Sequence, residues 1–286
     1  MGLNFWGFLP ISKFMGHRQS FNMEVRGSPG TVSLLDKWRR FAGIEKRFPN
    51  PGTGPITIPA RMISIIIPAH NEEAYLGATL DALERQNCKW FEVIIVANGC
   101  TDRTPEIARS RCHRLIVLSL KNLGMARNIG ARMARGEVLV FLDADTILEP
   151  MALRRIAQDF TKEYAAGTIR GQPDGRRFAY RVIYALKNLI HRLAVHPGSS
   201  GVILCWKEHF LRSGGFDESL EVRENSDLMK RLKRFGRYKY IPDITATTSM
   251  RRYERRGVGR VVLLWIKLWA QSLVSDLRHR AYETVR

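Results

Sequence analysis

The run Glu137-Val-Leu-Val-Phe-Leu-Asp-Ala-Asp145 sets the frame for the rest of the chain. Val138 to Leu142 form an unbroken, β-rich apolar stretch, the pattern of a strand buried on both faces, and the stretch stops at two carboxylates spaced i and i+2. Burying Asp143 and Asp145 in that core would cost several kcal/mol, so they emerge at the strand's end. Two carboxylates aimed the same way at the carboxyl end of a parallel strand suit a hard divalent cation, which takes oxygen ligands and shares them with a substrate's phosphates. A lone Asp-x-Asp also fits an ordinary turn, so the neighbouring segments must choose between the two.

Upstream, Ile63 to Ile67, Val93 to Val96 and Leu115 to Leu118 read as further strands. Helical patterns over Ala74 to Arg85, Pro105 to Arg111 and Met125 to Ala134 separate them. Strands alternating with helices predict an α/β fold built on a parallel sheet with right-handed crossovers, and such sheets bind ligands beyond the strands' carboxyl ends. The segments at those ends are polar: Pro68-Ala-His-Asn-Glu-Glu73, Asn98-Gly-Cys-Thr-Asp102, Lys121-Asn-Leu-Gly124 and Asp143-Ala-Asp145. Asn71 or Asp102 alone reads as a helix cap. Four such clusters on one edge predict a pocket. Gly124-Met-Ala-Arg-Asn-Ile-Gly130 opens a helix, whose free N–H groups and the fork of Arg127 suit a diphosphate, while Gly130 permits close packing on the sheet.

Taken in order, Ser64-Ile-Ile-Ile-Pro-Ala-His-Asn-Glu72, Asn98-Gly-Cys-Thr-Asp102, Asn122-Leu-Gly-Met-Ala-Arg-Asn-Ile-Gly130 and Asp143-Ala-Asp145 resemble the family 2 glycosyltransferases with the GT-A fold. The resemblance continues in Gly214-Gly-Phe-Asp-Glu218 and Glu224-Asn-Ser-Asp-Leu228 and covers about residues 62 to 248. It implies a Rossmann-like, mostly parallel sheet flanked by helices, divided into a nucleotide-sugar half (62–146) and an acceptor half (147–248). It also implies a UDP- or GDP-sugar donor, a Mg2+ or Mn2+ ion, and inversion at the anomeric carbon in one displacement. The acceptor implied is a polyprenyl phosphate, another lipid or a cell-envelope glycan. Carried over, Pro68, Ala69 and Glu72 line the nucleoside pocket, and Asn98 stands where relatives often place an aspartate to the base. Arg127 approaches the diphosphate, Asp143 faces ribose or metal, and Asp145 ligates the metal.

An acceptor hydroxyl needs a base beside it, and Glu224 and Asp227, spaced i and i+3 on one helix, are the candidates. Relatives usually carry Glu-Asp where this chain has Glu224-Asn225, and an asparagine takes no proton at neutral pH, so either Glu224 or Asp227 serves instead or the acceptor is a phosphate already ionised. Between Ala165 and Gly201, Arg176, Arg177 and Arg181 lead into an amphipathic helix over about Ile183 to Leu193, an arrangement suited to facing the acceptor.

The 286 residues suffice for one substantial core, and the net charge of +19 is concentrated at the ends. Residues 1–61 and residues 249–286 each carry nine Lys/Arg against three Asp/Glu. The first of these flanks is rich in Pro and Gly and predicts little packed structure apart from a short helix around Val32 to Ala42. Met62, just before the first strong strand, is a candidate translation start. Four scattered cysteines form no Cys-x-x-Cys pair, which argues against a zinc site or disulfide framework and fits a reducing cytosol. In the last flank, Val261 to Ala270 is too short to span a bilayer, but its two tryptophans, broad apolar face and nearby arginines suit an interfacial helix on the cytoplasmic face of a membrane. Packing on the enzyme or at a dimer contact is the other reading, and Arg251 and Arg252 are placed to reach into the site instead. No aromatic-interleaved basic repeat supports nucleic-acid binding. A catalytically lapsed protein of the same fold, binding through its basic flanks, is the competing functional reading, with Asn225 as its one support.

Overall fold

A computed structural model describes residues 23–24, 61–194, 199–220 and 222–274, with backbone alone for 23–24 and 268–274. In chain order its elements are β1 (Met23–Glu24), β2 (Ile63–Ala69), α1 (Leu76–Glu84), β3 (Phe91–Asn98), α2 (Thr104–Arg109), β4 (Arg114–Leu118), α3 (Leu123–Met133), β5 (Val138–Leu142) and β6 (Thr146–Leu148). There follow α4 (Ala152–Asp159), β7 (Tyr164–Pro173), α5 (Phe178–Arg192), β8 (Val202–Trp206), α6 (Lys207–Arg212), α7 (Glu224–Leu232), β9 (Arg237–Thr248), α8 (Arg251–Arg256) and α9 (Val258–Val274). Among the described residues the strands form one sheet in the order β1-β4-β3-β2-β5-β8-β7-β9-β6.

β4, β3, β2 and β5 run parallel, as their alternation with helices requires. Alternate side chains sort to opposite faces. Ile63, Ile65, Ile67, Val93, Ile95, Val138 and Val140 pack with α1, α2 and α4. Ile66, Ile94, Val96, Leu139 and Phe141 pack with α3, α6 and α7. Gly130 on α3 is the closest approach: a Cβ there would lie 2.5 Å from Ile66 Cγ2, so only glycine lets the helix sit this near the sheet.

Beyond β5 the sheet becomes mixed. β8 runs antiparallel to β5 and β7, β7 and β9 are parallel with two register shifts, and β6 returns antiparallel to β9. The two halves therefore share one hydrogen-bonded surface through β5 and β8. Helix α5 begins at Phe178, five residues before the periodicity suggested, and Tyr180 and Tyr184 on its inner face pack against Met250, Tyr253 and Val261. No helix among the described residues is long and apolar enough to cross a membrane. The helix expected near Val32 to Ala42 and the rest of the first flank, apart from β1 and Arg61, lie outside the described residues, as do residues 275–286.

Candidate active site

At the carboxyl ends of β2 and β5, two arginines each gather acidic side chains. β5 delivers Asp143 at its end, and the turn that follows is clamped: the Asp143 N–H donates to the Gly201 carbonyl at 3.0 Å, and Thr79 Oγ1 on α1 donates to the Ala144 carbonyl at 2.8 Å. The Ser249 N–H, just past β9, donates to the Asp145 carbonyl at 3.2 Å. The two carboxylates then part to different partners. Asp143 Oδ1 accepts from Arg127 Nη2 at 3.0 Å, and Asp145 Oδ2 lies 2.9 Å from Arg251 Nη2.

Arg127 is buried on α3 and serves three groups. Its Nη1 donates to Glu224 Oε1 at 3.1 Å and to Asn225 Oδ1 at 2.9 Å, and its guanidinium lies 5.0 Å from the ring centre of Phe216. The start of α3 does not present the open anion seat suggested by its glycine. Asn122 Oδ1 accepts from the Met125 N–H, Asn122 Nδ2 donates to the Glu218 carbonyl, and Gly124 packs under Asp217 and Glu218. With the helix end capped and covered, the guanidinium of Arg127 is what remains for a phosphate.

Arg251 arrives from the far end of the chain, at the start of α8. Its two terminal nitrogens donate to the two oxygens of Glu72, each at 2.8 Å, and its guanidinium lies 4.4 Å from the ring centre of Tyr75. Glu72 is buried, so this bidentate pairing supplies the cation that a sequestered carboxylate requires. Of the two positions left open for Arg251 in the sequence, the structure occupies the one inside the site.

Burial raises the Asp145 carboxyl to about 6; Arg251 opposes this, and the negative charge of Asp143 adds to it. Glu224 is raised chiefly by burial, against the pull of Arg127. Within the directly bonded set, four carboxylates (Glu72, Asp143, Asp145, Glu224) meet two guanidiniums, leaving two formal negative charges over when all four are ionised.

The remaining expected residues divide. Pro68 and Ala69 are buried in β2. Asn98 is buried as well and its side chain braces strands: Nδ2 donates to the Ala69 carbonyl at 2.9 Å. Asp227 points elsewhere, paired with Arg231, whose Nη1 donates to the Ser213 carbonyl. Three participants were not read from the sequence. Asn225, noted there only as a departure, binds Arg127 and donates from Nδ2 to Ser199 Oγ at 3.1 Å. Tyr184 lies behind the aspartates with its phenol pushed up by burial. Asp174, at the end of β7, joins Tyr75, Thr79, Asp145 and Ser249 around a cavity of about 50 Å3. No local motif marks these three, since only the folded sheet brings them to the aspartates.

Residues 64–254 match the family description "Glycosyl transferase family 2". An uncharacterized glycosyltransferase of Haemophilus influenzae is 29% identical over 201 residues, covering 65% of this chain and 68% of that protein. Against several other curated relatives the chain spans less than half of their length. S. aureus TarS 1-349 in complex with UDP-GlcNAc has a TM-score of 0.53 and 22% identity, covering 65% of this chain and 58% of that one. The mannosyltransferase PcManGT from Pyrobaculum calidifontis, in complex with GDP-Man and Mn2+, has a TM-score of 0.55 and 18% identity, covering 73% and 63%. These two likenesses establish the GT-A fold. The residues matched to the family take in both arginines and all four carboxylates of the site, and the chain belongs to glycosyl transferase family 2 as a glycosyltransferase.

Proposed function

We propose that the enzyme transfers a sugar from a UDP- or GDP-sugar to an acceptor hydroxyl with inversion, at the edge where Asp143, Asp145, Glu72 and Glu224 meet Arg127 and Arg251. The observation that carries this reading is the surplus of two negative charges in a set that already holds two arginines. A divalent cation fits it: Asp143 and Asp145 are hard oxygen donors, and the half-buried Asp145 holds its charge against burial only with positive charge beside it. Among the described residues there is no group of three or more ligating side chains, so the donor's phosphates and water would complete the shell. When bound, Mg2+ or Mn2+ supplies Lewis-acid stabilisation of the departing diphosphate. That PcManGT was captured with GDP-Man and Mn2+ supports this assignment.

The chain's own groups do the rest. A nucleotide sugar needs several hundred Å3, far more than the cavity beside Asp145, so the edge opens for it, and Arg251, still held by Glu72, turns from Asp145 to the incoming phosphates. Arg127 makes the same exchange from Asp143. Both guanidiniums then face the negative charge that grows as the bond from the sugar to the diphosphate breaks. The acceptor oxygen bonds the anomeric carbon, and its proton passes to Glu224. A carboxyl raised by burial holds a proton better than an exposed one and suits a base, and Glu224 shares Arg127 with Asp143 whereas Asp227 points away to Arg231. The acceptor is a lipid or glycan hydroxyl met at the cytoplasmic face of a membrane; a polyprenyl phosphate would attack through its ionised oxygen and need no base. A lapsed scaffold of the same fold has no use for this surplus of charge.

A thermal-shift panel of nucleoside diphosphates and their sugars, with and without Mn2+, tests the reading. A UDP or GDP compound with Mn2+ is expected to raise the melting temperature of the wild type and leave Asp145→Asn unmoved. Folded wild-type protein indifferent to the whole panel would overturn it.

A further inference from the structure

Helix α5 shows solvent an apolar stripe that packing within the described chain does not explain. Phe178, Val182, Leu186, Leu189 and Leu193 recur at steps of four, four, three and four, and are 79%, 48%, 57%, 51% and 62% exposed. They form one ridge along the whole helix, about 22 Å long. The opposite face of α5 is the buried one, where Tyr180 and Tyr184 hold Met250, Tyr253 and Val261. Helix α9, which carries Val261, also exposes apolar side chains, Leu263 at 67% and Ile266 at 55%.

Charge selects the occupant. Residues 175–194 contain five Lys/Arg and no Asp/Glu, and residues 258–274 contain two and none. Arg176, Arg177, Arg181 and Arg192 are all exposed beside the stripe or at its ends. A second copy docking by this face would set five positive charges against the same five. The first 61 residues, with nine Lys/Arg against three Asp/Glu, are an equally poor cover. An aliphatic ridge bordered by long cationic side chains, which reach to the headgroups while their stems lie on apolar surface, is the chemistry of an anionic bilayer interface.

We infer that α5 is a membrane-docking helix: its Phe178-to-Leu193 ridge enters the headgroup boundary of an anionic membrane, with α9 as the neighbouring contact. The placement suits the site. Tyr184 on the inner face of α5 packs with Met250, the residue before Arg251, so the helix that would lie in the interface also backs the catalytic edge. An acceptor embedded in lipid would then reach the site without leaving the membrane.

The test is sedimentation of the full-length protein with phosphatidylcholine vesicles, with or without phosphatidylglycerol. Wild type is expected to bind the anionic vesicles, more weakly at high salt and weakest on phosphatidylcholine alone. Leu186→Glu with Leu189→Glu is expected to weaken that binding about tenfold or more while leaving the melting temperature unchanged. Arg181→Glu with Arg192→Glu, which spares the ridge, is expected to lose the preference for anionic lipid. Wild type that ignores vesicles, or glutamate variants that bind as well as wild type, would overturn the inference. So would glutamates that dissociate a dimer, release an acidic protein or lower the melting temperature, since each means that protein covers the ridge. Vesicle binding needs neither donor nor metal, so its failure and that of the transferase reading are separate results.

Discussion

Arg251 reaches across 179 positions of sequence to close a bidentate pair with Glu72, and its burial makes the pairing obligatory rather than decorative. Truncating one partner leaves a carboxylate sequestered without a counter-charge, which costs about 3–5 kcal/mol, whereas removing both is far milder. Arg251→Ala is therefore expected to lower stability by about that amount in urea unfolding, and Arg251→Ala with Glu72→Ala to lose less than the sum of the singles. Additive losses would mean that the pair is not coupled. The neighbouring acids make a second contrast. Glu224→Gln keeps the shape of the side chain at Arg127 but removes the proton acceptor, so kcat is expected to fall about 100- to 10,000-fold with the nucleotide-induced thermal shift preserved. Asp227→Asn only loosens a helix-surface pair with Arg231 and is expected to leave kcat within a few-fold of wild type. Comparable losses in the two variants would remove the base from Glu224.

The elements that carry the site are fixed by close packing and by loop-to-loop hydrogen bonds. Gly130→Ala would place a methyl carbon within 2.5 Å of Ile66 Cγ2, at the centre of the sheet, and is expected to cost about 1–3 kcal/mol by pushing α3 away. Between β2 and α2, Asp102 accepts from the Glu73 N–H at 3.1 Å and from the Thr104 N–H at 3.0 Å. Burial favours its neutral form, but these donors and the Thr104 hydroxyl prevail and hold its carboxyl below the usual range. A carboxylate depressed in the folded state stabilises the fold above its unfolded value, about 3.9, and loses that contribution as pH falls through the depressed value. Asp102→Asn is thus expected to melt below wild type at neutral pH, with the gap closing at the acid end. A constant gap would assign Asp102 no titrating role. These elements also mark how far the sequence could be read. β2, β3 and β5 were legible because their β-branched runs are buried on both faces, with the polar Ser64 and Glu92 paired to each other inside. β7 and β9 were not, since Gly167, Gly171 and Pro242 interrupt their patterns and their pairing slips register twice. The aspartates and Arg127 were legible from local motifs, and the partnership of Glu72 with Arg251 was not, because only the folded sheet brings β2 and α8 together.

For the molecule as a whole, the two halves expected from the sequence, 62–146 and 147–248, are not mechanically separate. Five consecutive pairs join β5 to β8, and one apolar cluster runs from Ile63 through Val140 and Trp206 to Ala246, so the main core belongs to both halves. Arg251 adds a third link, tying the chain beyond β9 to β2 and β5 at once. Elements that share a sheet, a core and buried ion pairs cannot melt apart without exposing each other's apolar faces, and unfolding is expected to be one cooperative transition with equal calorimetric and van't Hoff enthalpies. Ligand at the catalytic edge then stabilises everything it is joined to. A nucleotide at 100 times its dissociation constant adds about 2.7 kcal/mol, which in a domain of this size raises the melting temperature by about 5–10 °C. Calorimetry should show the entire peak move by that amount with nucleotide and Mn2+. A split endotherm, with only one part moving, would show that the halves fold independently and that the shared sheet does not couple them.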